Sequence, residues 1–515
     1  MKASAERPPA LIRSRTGGRF ESGTVHVIGI ALILVSAGML VSALVAFIDG
    51  GSDRGTDVRA LLGSAAISAS IGFVAWWSTA VPNRQRASMA FSAVTWSWVS
   101  VSLIGALPFL LSGTFDWSHA DNAIFESVSG FTTTGSTVIQ DLDSVPKGVR
   151  FFRQMTQWFG GMGLIVLAVA VLPALKVGGL ELIAAEAPGP RPDRLTPQVR
   201  ETARRLWLLY GAFTVAITAA LMLFGGMDLY DGLAHAFTTA STGGFSPYSA
   251  SVGGFESAAV EIVLIIAMIT CGASYSWHWQ AIRGNPGVYL RVSEFRVYLA
   301  MFVGATALLF AVNRELGNSA GRTLRDAAFN VATVLTSTGF GTADFTEWGP
   351  PAQVLLLLIM IPAGTTGSTS GGIKTLRLQV IAKFAAREVS RARHPRAIRT
   401  IRLGNTVVSD DVVNRTVGFV LLYLCATLVG GALVTALGAD PVAGFSAAVS
   451  ATGNIGPALG DVGPASTFLE LPRASRPVLM FLMLFGRLEV FPTVLAIAGL
   501  LSHRKRLPRQ RLRHR

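Results

Sequence analysis

Backbone carbonyls, rather than side chains, are the groups that this sequence puts forward for chemistry. Four stretches, FESVSGFTTTGST (125–137), AHAFTTASTGGFS (234–246), FNVATVLTSTGFG (329–341) and SAAVSATGNIGPA (446–458), end in Thr, Ser, Gly and Asn. β-Branched residues and glycine are poor helix material, and glycine admits backbone angles closed to other residues. In the first three stretches a polar residue stands nine positions before a glycine: Glu126 to Gly135, His235 to Gly244 and Asn330 to Gly339. In the fourth, Ala447 stands nine before Gly456. These glycines recur at intervals of about 95 to 117 residues, an internal repeat of four. Extended glycine-bearing strands gathered around one axis can turn carbonyl oxygens inward and replace the hydration shell of an alkali cation. No nucleophile–base pair, metal-ligand set, Rossmann glycine signature or P-loop is evident in the sequence, so an enzyme is not expected.

The elements that must position such strands are membrane helices. Of the 515 residues 51% are hydrophobic and only 14% charged, with a mean hydropathy of +0.49, far from soluble usage. Ten apolar runs are long enough to cross a ~30 Å hydrocarbon core: about 24–48, 59–81, 88–113, 152–175, 206–224, 258–281, 295–313, 352–373, 412–437 and 477–501. The first is too long for a signal-peptide core and is expected to stay in the chain. Cys271 and Cys425 fall inside spans without ligand spacing and read as buried small hydrophobes.

The net charge of +14 is distributed by topology. Basic residues crowd the N-terminus (Arg7, Arg13, Arg15, Arg19), Arg84 and Arg86, and the segments 176–205, 283–296, 374–402 and 503–515. The alternate connections are acidic: Asp49, Asp53 and Asp57 face one arginine, and 225–257 has no Lys or Arg. The positive-inside rule then predicts cytoplasmic termini. No basic-aromatic module stands apart from the membrane segments, so nucleic acid is not an expected partner.

Four apolar segments on the outer side, about 121–132, 230–241, 325–336 and 440–452, are too short to cross and read as re-entrant. Asp121, Asp231, Asp326 and Asp440 stand near their starts as expected N-caps. Each unit thus reads span, short helix, glycine-bearing strand, span. Non-helical backbone at membrane depth is tolerated only inside protein or along a watery cavity, which is why fourfold recurrence points to a common axis.

With these segments in view, the sequence resembles the Trk/Ktr/HKT superfamily of potassium transporters, and within it the bacterial Trk-type (TrkH-like) membrane subunit. The resemblance also rests on QWFGGMGLIVLAVAVLP (157–173), AEAPGP with RLTPQVRETARRLW (185–207), AGTTGSTSGGIKTLR (363–377) and LMLFGRLEVFP (482–492). It implies an all-α polytopic fold in the bacterial inner membrane: a two-helix extension (1–82) and four covalently linked helix–pore loop–helix units (83–180, 181–285, 286–400, 401–515) in pseudo-fourfold arrangement around one pore. The implied activity is potassium uptake. The implied ion ligands are backbone at Thr133, Thr134 and Gly135; Thr242, Gly243 and Gly244; Ser337, Thr338 and Gly339; and Asn454, Ile455 and Gly456. Gly243 and Gly453 are alternative register positions to Gly244 and Gly456, which the nine-residue spacing selects. Plant-type relatives with serine at the first filter glycine carry sodium, so Gly135 favours potassium. The fourth unit, with Asn454 before and Pro457 after, departs most from a TTTG pattern. The resemblance further implies a homodimer and a cytosolic NAD- or nucleotide-binding regulatory subunit (TrkA-like), with no covalently bound cofactor.

Three features lie outside the strands. The segment Ala363 to Gly372, with Gly364, Thr365, Thr366, Gly367, Ser368, Gly371 and Gly372, interrupts what should be one helix. Small residues there suit close helix packing; the resemblance implies an intramembrane gating loop. Arg487 lies within the last span, where a charge costs ~2.5–3.5 kcal/mol and marks a functional candidate. It is either half of a buried ion pair or, as the resemblance implies, a barrier in the ion path. The run Lys374 to Arg402 carries nine Lys/Arg against Glu388, a surface for anionic membrane lipid or a docking partner. Glu126, His235 and Asn330 read as braces of the strands rather than proton relays. The alternative to a potassium pore is a secondary carrier holding an anionic solute at half-helix ends, which predicts two inverted halves instead of four units running the same way.

Overall fold

A computed structural model describes residues 22–50, 54–79, 87–175, 199–314, 319–396, 399–404 and 406–489. Two N-terminal helices, Ser22–Asp49 and Arg54–Trp77, pack side by side. Their contact is set by glycine: a Cβ on Gly29 would stand 2.7 Å from the Gly72 carbonyl oxygen, so only small residues let the backbones meet. Ser68 hydroxyl then donates across the pair to Leu32 carbonyl at 2.9 Å.

The rest of the described chain is four helical units. All four short helices expected on the outer side are present: Ala120–Phe131, Leu229–Ala240, Ala320–Leu335 and Pro441–Gly453. Their flanking first helices are Ala87–Ile104 with Leu107–Leu111, Val199–Gly225, Ser293–Asn313 and Asp410–Ala436. The closing helices are less regular: Lys147–Leu175, a pair Ala258–Cys271 and Tyr275–Ile282, a pair Pro350–Ile359 and Thr375–Arg393, and Arg476–Arg487. A small antiparallel hairpin, Ile401–Leu403 with Thr406–Val408, adds an element that the all-α expectation lacked.

Six described helices are long and apolar enough to cross a membrane, or seven when the pair bent by 97° at 272–274 counts as one. The protein is a polytopic membrane protein. The expected ten spans are corrected in two places. The run 258–281 is not straight, because the helix stops where the Gly272 carbonyl is free to accept the Thr365 N–H at 2.9 Å. The run 352–373 ends as helix at Ile359, and its remainder is loop. The run 477–501 and the basic N- and C-terminal clusters extend beyond, or lie outside, the described residues. Cys425 is exposed rather than buried, because it lies on an outer face of Asp410–Ala436.

The expected N-caps also change hands. Asp440 caps its helix through Val442 and Ala443 N–H groups. The second helix is capped by Asp228, which accepts the Asp231 N–H, and the third by Ser319. Asp231 is thereby freed to accept the Tyr248 hydroxyl at 2.9 Å. Asp121 caps nothing: it accepts from Arg473 Nε at 2.9 Å and Arg476 Nη1 at 2.6 Å, tying the first unit to the fourth. Burial works upward on the Asp121 pKa, but hydrogen bonds and charge from Arg473 and Arg476 outweigh it and hold the carboxyl below its ordinary value.

A depressed folded-state pKa contributes stability that is present above the unfolded value of about 3.9 and is lost as pH falls through the folded value. Thermal melts of purified protein from neutral pH down into that acid range should therefore show a wild-type loss that Asp121→Asn reduces. Equal acid sensitivity in the two proteins would refute the clamp.

Candidate ion path

Each short helix ends the same way. Its last residue is followed within two positions by a non-glycine residue in left-handed backbone: Thr133 (φ 53°), Thr242 (φ 53°), Ser337 (φ 54°) and Asn454 (φ 52°). These N–H groups reach back to the carbonyls of Gly130, Thr239, Val334 and Ala451. The next N–H groups, of Thr134, Gly243, Thr338 and Ile455, reach back to Ser129, Thr238, Thr333 and Ser450 at 2.8 to 3.0 Å. This pair of bonds is a Schellman closure, usually built on glycine. One residue further, Gly135, Gly244, Gly339 and Gly456 again have positive φ, between 74° and 109°. Gly243 lies one position before the repeated glycine, and Gly453 closes its helix, so neither occupies the repeated position.

The four turns meet in cyclic order. A Cβ built on Gly135 would strike the Gly243 carbonyl oxygen; on Gly244, that of Thr338; on Gly339, that of Ile455; and on Gly456, that of Thr134, at 2.9 Å. Each glycine therefore abuts the carbonyl just before the next unit's glycine, and the fourth returns to the first. The C-terminal, partially negative ends of four helices converge on this ring.

Side chains hold the ring from behind. Glu126, fully buried, accepts the Val138 N–H at 3.0 Å and the Thr137 hydroxyl at 3.0 Å. Arg153 of Lys147–Leu175 pairs with Glu126 at 2.6 Å, donates to the Ser246 carbonyl at 2.9 Å and stacks 3.3 Å over the Phe245 ring, so one cation joins two units. His235 reaches Ser246 Oγ at 3.1 Å. Asn330 bonds back to the Asp326 carbonyl within its own helix, so it braces no strand. Asn454 donates to Thr134 Oγ1 at 3.0 Å and to the Met483 carbonyl at 2.9 Å. Arg153 was open to detection by the rule that singles out Arg487, since it too is a charge in an apolar run.

The interrupted helix of the third unit resolves into a loop from Met360 to Lys374 lying against these helix ends. Thr369 Oγ1 donates to the Ala240 carbonyl at 3.1 Å, and Gly371 N–H to Ser337 Oγ at 2.7 Å. A Cβ on Gly371 would meet the Gly453 carbonyl and stand 2.9 Å from Asn454 Cβ. Glu294 holds both flanks on one oxygen, accepting from Thr366 N–H at 2.6 Å and Leu376 N–H at 3.3 Å. Gly364, Thr365, Gly367, Ser368 and Gly372 complete the loop: Thr365 anchors to Gly272, and Gly367 carbonyl accepts the Tyr275 N–H. Arg487, buried at the end of its helix, donates to the Thr369 carbonyl at 2.8 Å and the Gly160 carbonyl at 2.9 Å. Its hydrogen-bond partners among the described residues are carbonyls, not carboxylates. Glu126 is taken by Arg153, and Glu489 pairs with Arg377 at 3.0 Å.

A family model for TrkH, described as a cation transport protein, matches residues 59–505. The chain belongs to the TrkH family. It is 38% identical to the Trk system potassium uptake protein TrkH of Escherichia coli K12, over 90% of this chain and 96% of that one. It is 36% identical to the Vibrio parahaemolyticus TrkH, over 92% and 97%. The crystal structure of the potassium transporter TrkH from Vibrio parahaemolyticus superposes with a TM-score of 0.82 at 33% identity, covering 92% of this chain and 97% of that one. These TrkH relatives are named as transporters, in keeping with the expectation of a non-enzyme.

In this TrkH-family chain, removing Arg153 strands the Glu126 carboxylate in a dry interior. Arg153→Ala should destabilise the protein by about 3–5 kcal/mol, read as lost thermal stability and yield, and Glu126→Gln with Arg153→Met should restore most of it. A stable single variant would show that the pair is not the joint between the first two units.

Proposed function

We propose that this chain takes up potassium across the bacterial inner membrane through the axis enclosed by the four glycine turns. The observation that carries the reading is the closed cycle of glycine-to-carbonyl contacts at Gly135, Gly244, Gly339 and Gly456. A ring built of carbonyl dipoles, with four helix C-termini aimed at it, favours a cation. The same polarity speaks against the anionic-solute carrier, which needs helix N-termini at the site. The ions are held by backbone at Thr133, Thr134 and Gly135; Thr242, Gly243 and Gly244; Ser337, Thr338 and Gly339; and Asn454, Ile455 and Gly456. Uptake follows the membrane potential, ~2.3 kcal/mol per charge per 100 mV.

The units run 1–82, 83–180, 181–285, 286–400 and 401–515, with both termini cytoplasmic. The 360–374 loop is the gate, pinned by Arg487, whose charge also repels cations below the ring. The relatives are named as parts of a Trk system, which supports a partnered assembly: a homodimer in contact with lipid, controlled by a cytosolic NAD- or nucleotide-binding subunit of TrkA type.

Rubidium or potassium uptake in a strain without its own potassium systems tests the activity directly; no uptake by well-folded protein would end the proposal. Gly135→Ser puts a Cβ against the Gly243 carbonyl and should admit sodium more readily relative to potassium. An unchanged ratio would remove Gly135 from the filter. Arg487→Ala deletes both the charge and the tie from loop to first unit, so flux per folded molecule should rise severalfold, while Arg487→Lys should keep most of the barrier because it keeps the charge. An alanine variant that is unstable without being leaky would assign Arg487 to structure alone.

A further inference from the structure

The four turns differ at the residue between the left-handed position and the glycine. Three carry side chains there, and each is engaged. Thr134 Oγ1 bonds Thr132 Oγ1 at 2.7 Å and receives Asn454 Nδ2. Thr338 Oγ1 bonds Thr336 Oγ1 at 2.7 Å. Ile455 is fully buried in the core of the third unit, with Leu335 and Met360. The second turn has Gly243, which supplies nothing.

Gln157, on the closing helix of the first unit, occupies the space so left. A Cβ on Gly243 would stand 2.5 Å from Gln157 Cδ and Oε1 and 2.9 Å from Nε2. The amide is fully buried and uses both ends: Nε2 donates to the Gly243 carbonyl at 2.6 Å, and Oε1 accepts the Phe245 N–H at 2.9 Å. It therefore bridges the two peptide groups on either side of Gly244. A carbonyl oxygen has two lone pairs; here one is committed to an amide donor, which lowers what that oxygen offers an ion. Selectivity in such a ring depends on the number and field strength of its carbonyls.

Resting on the potassium-filter reading above, we propose that Gln157 is a specificity-determining positioning residue: it replaces, from the neighbouring unit, the side chain that Gly243 lacks, and sets the geometry and field of the second turn.

The pair is tested by exchanging the volume. Gln157→Ala should keep uptake but lower the potassium-to-sodium ratio by roughly fivefold or more, the equivalent of one hydrogen bond or so. Gly243→Thr alone should clash with Gln157 and abolish uptake or folding. Gln157→Ala with Gly243→Thr, which rebuilds a Thr-Thr-Gly turn, should regain uptake and a ratio closer to wild type than either single variant. Flux is measured per folded molecule. If Gln157→Ala fails to fold, Gln157→Glu, nearly isosteric and still able to accept from Phe245, should shift the ratio. An unchanged ratio in the folded Gln157 variant, a tolerated Gly243→Thr, or a double variant no better than the worse single one would each overturn the inference. Gly135→Ser in the same assay separates the two levels: if it shifts the ratio and the Gln157 variant does not, only Gln157 loses its role; if neither does, the filter reading itself fails.

Discussion

Every peptide group taken into a membrane must find its hydrogen-bond partner inside the protein, and four stretches of this chain give up helix where that demand is strictest. The Schellman bonds at Thr133, Thr242, Ser337 and Asn454 answer it first, by returning two N–H groups per turn to the helix just left. They do so with non-glycine residues in left-handed backbone, a strain on the order of 1–3 kcal/mol each. Such strain persists only where the surroundings over-determine it. Arg153 and Gln157 at the second turn, Asn454 reaching the first, and Gly371 N–H on Ser337 Oγ at the third are among those surroundings, and each ties a turn to an element outside its own.

The unit-to-unit joints are unequal. Between the first and second units lies a buried ion pair that also touches Ser246 and Phe245. The fourth meets the first by Asn454 to Thr134 in the buried interior and by Asp121 to Arg473 and Arg476 nearer the surface. The third meets the second through an Arg325–Glu261 pair at 2.6 Å as well as through the loop that it inserts against the other helix ends. A single chain can afford this inequality because no side chain is repeated by symmetry.

The fourfold plan was legible because it is periodic: short apolar helices and a fixed interval from Glu126, His235, Asn330 and Ala447 to a glycine survive without any knowledge of contacts. The break in the third unit was legible from Gly364 to Gly372, since so many small residues do not make a helix. Arg153 stood open as a charge in an apolar run, but its pairing with Glu126 and the role of Gln157 were not legible, because the partners lie 27 and 86 residues away in sequence and nothing local marks an amide as filling a neighbour's void. Asp440 caps as expected, but the cap expected at Asp121 failed for a related reason: it reads as a helix start, yet two arginines over 350 residues away take its carboxylate. The bend at Gly272 depends on a loop nearly 100 residues further on, and a hydropathy window cannot register that.

The Glu294 carboxylate has a mechanical consequence. One oxygen holds Thr366 and Leu376, so the intervening backbone is drawn into a noose whose knot sits at the foot of Ser293–Asn313. Closing a loop at its ends removes conformational freedom before anything else is formed, and unravelling it means giving up hydrogen bonds to a carboxylate, ~1.5–3 kcal/mol each. The least expensive displacement leaves the knot tied. The two flanks of the loop are thereby fastened to one side chain of Ser293–Asn313, so a shift of that helix would be passed to both flanks at once.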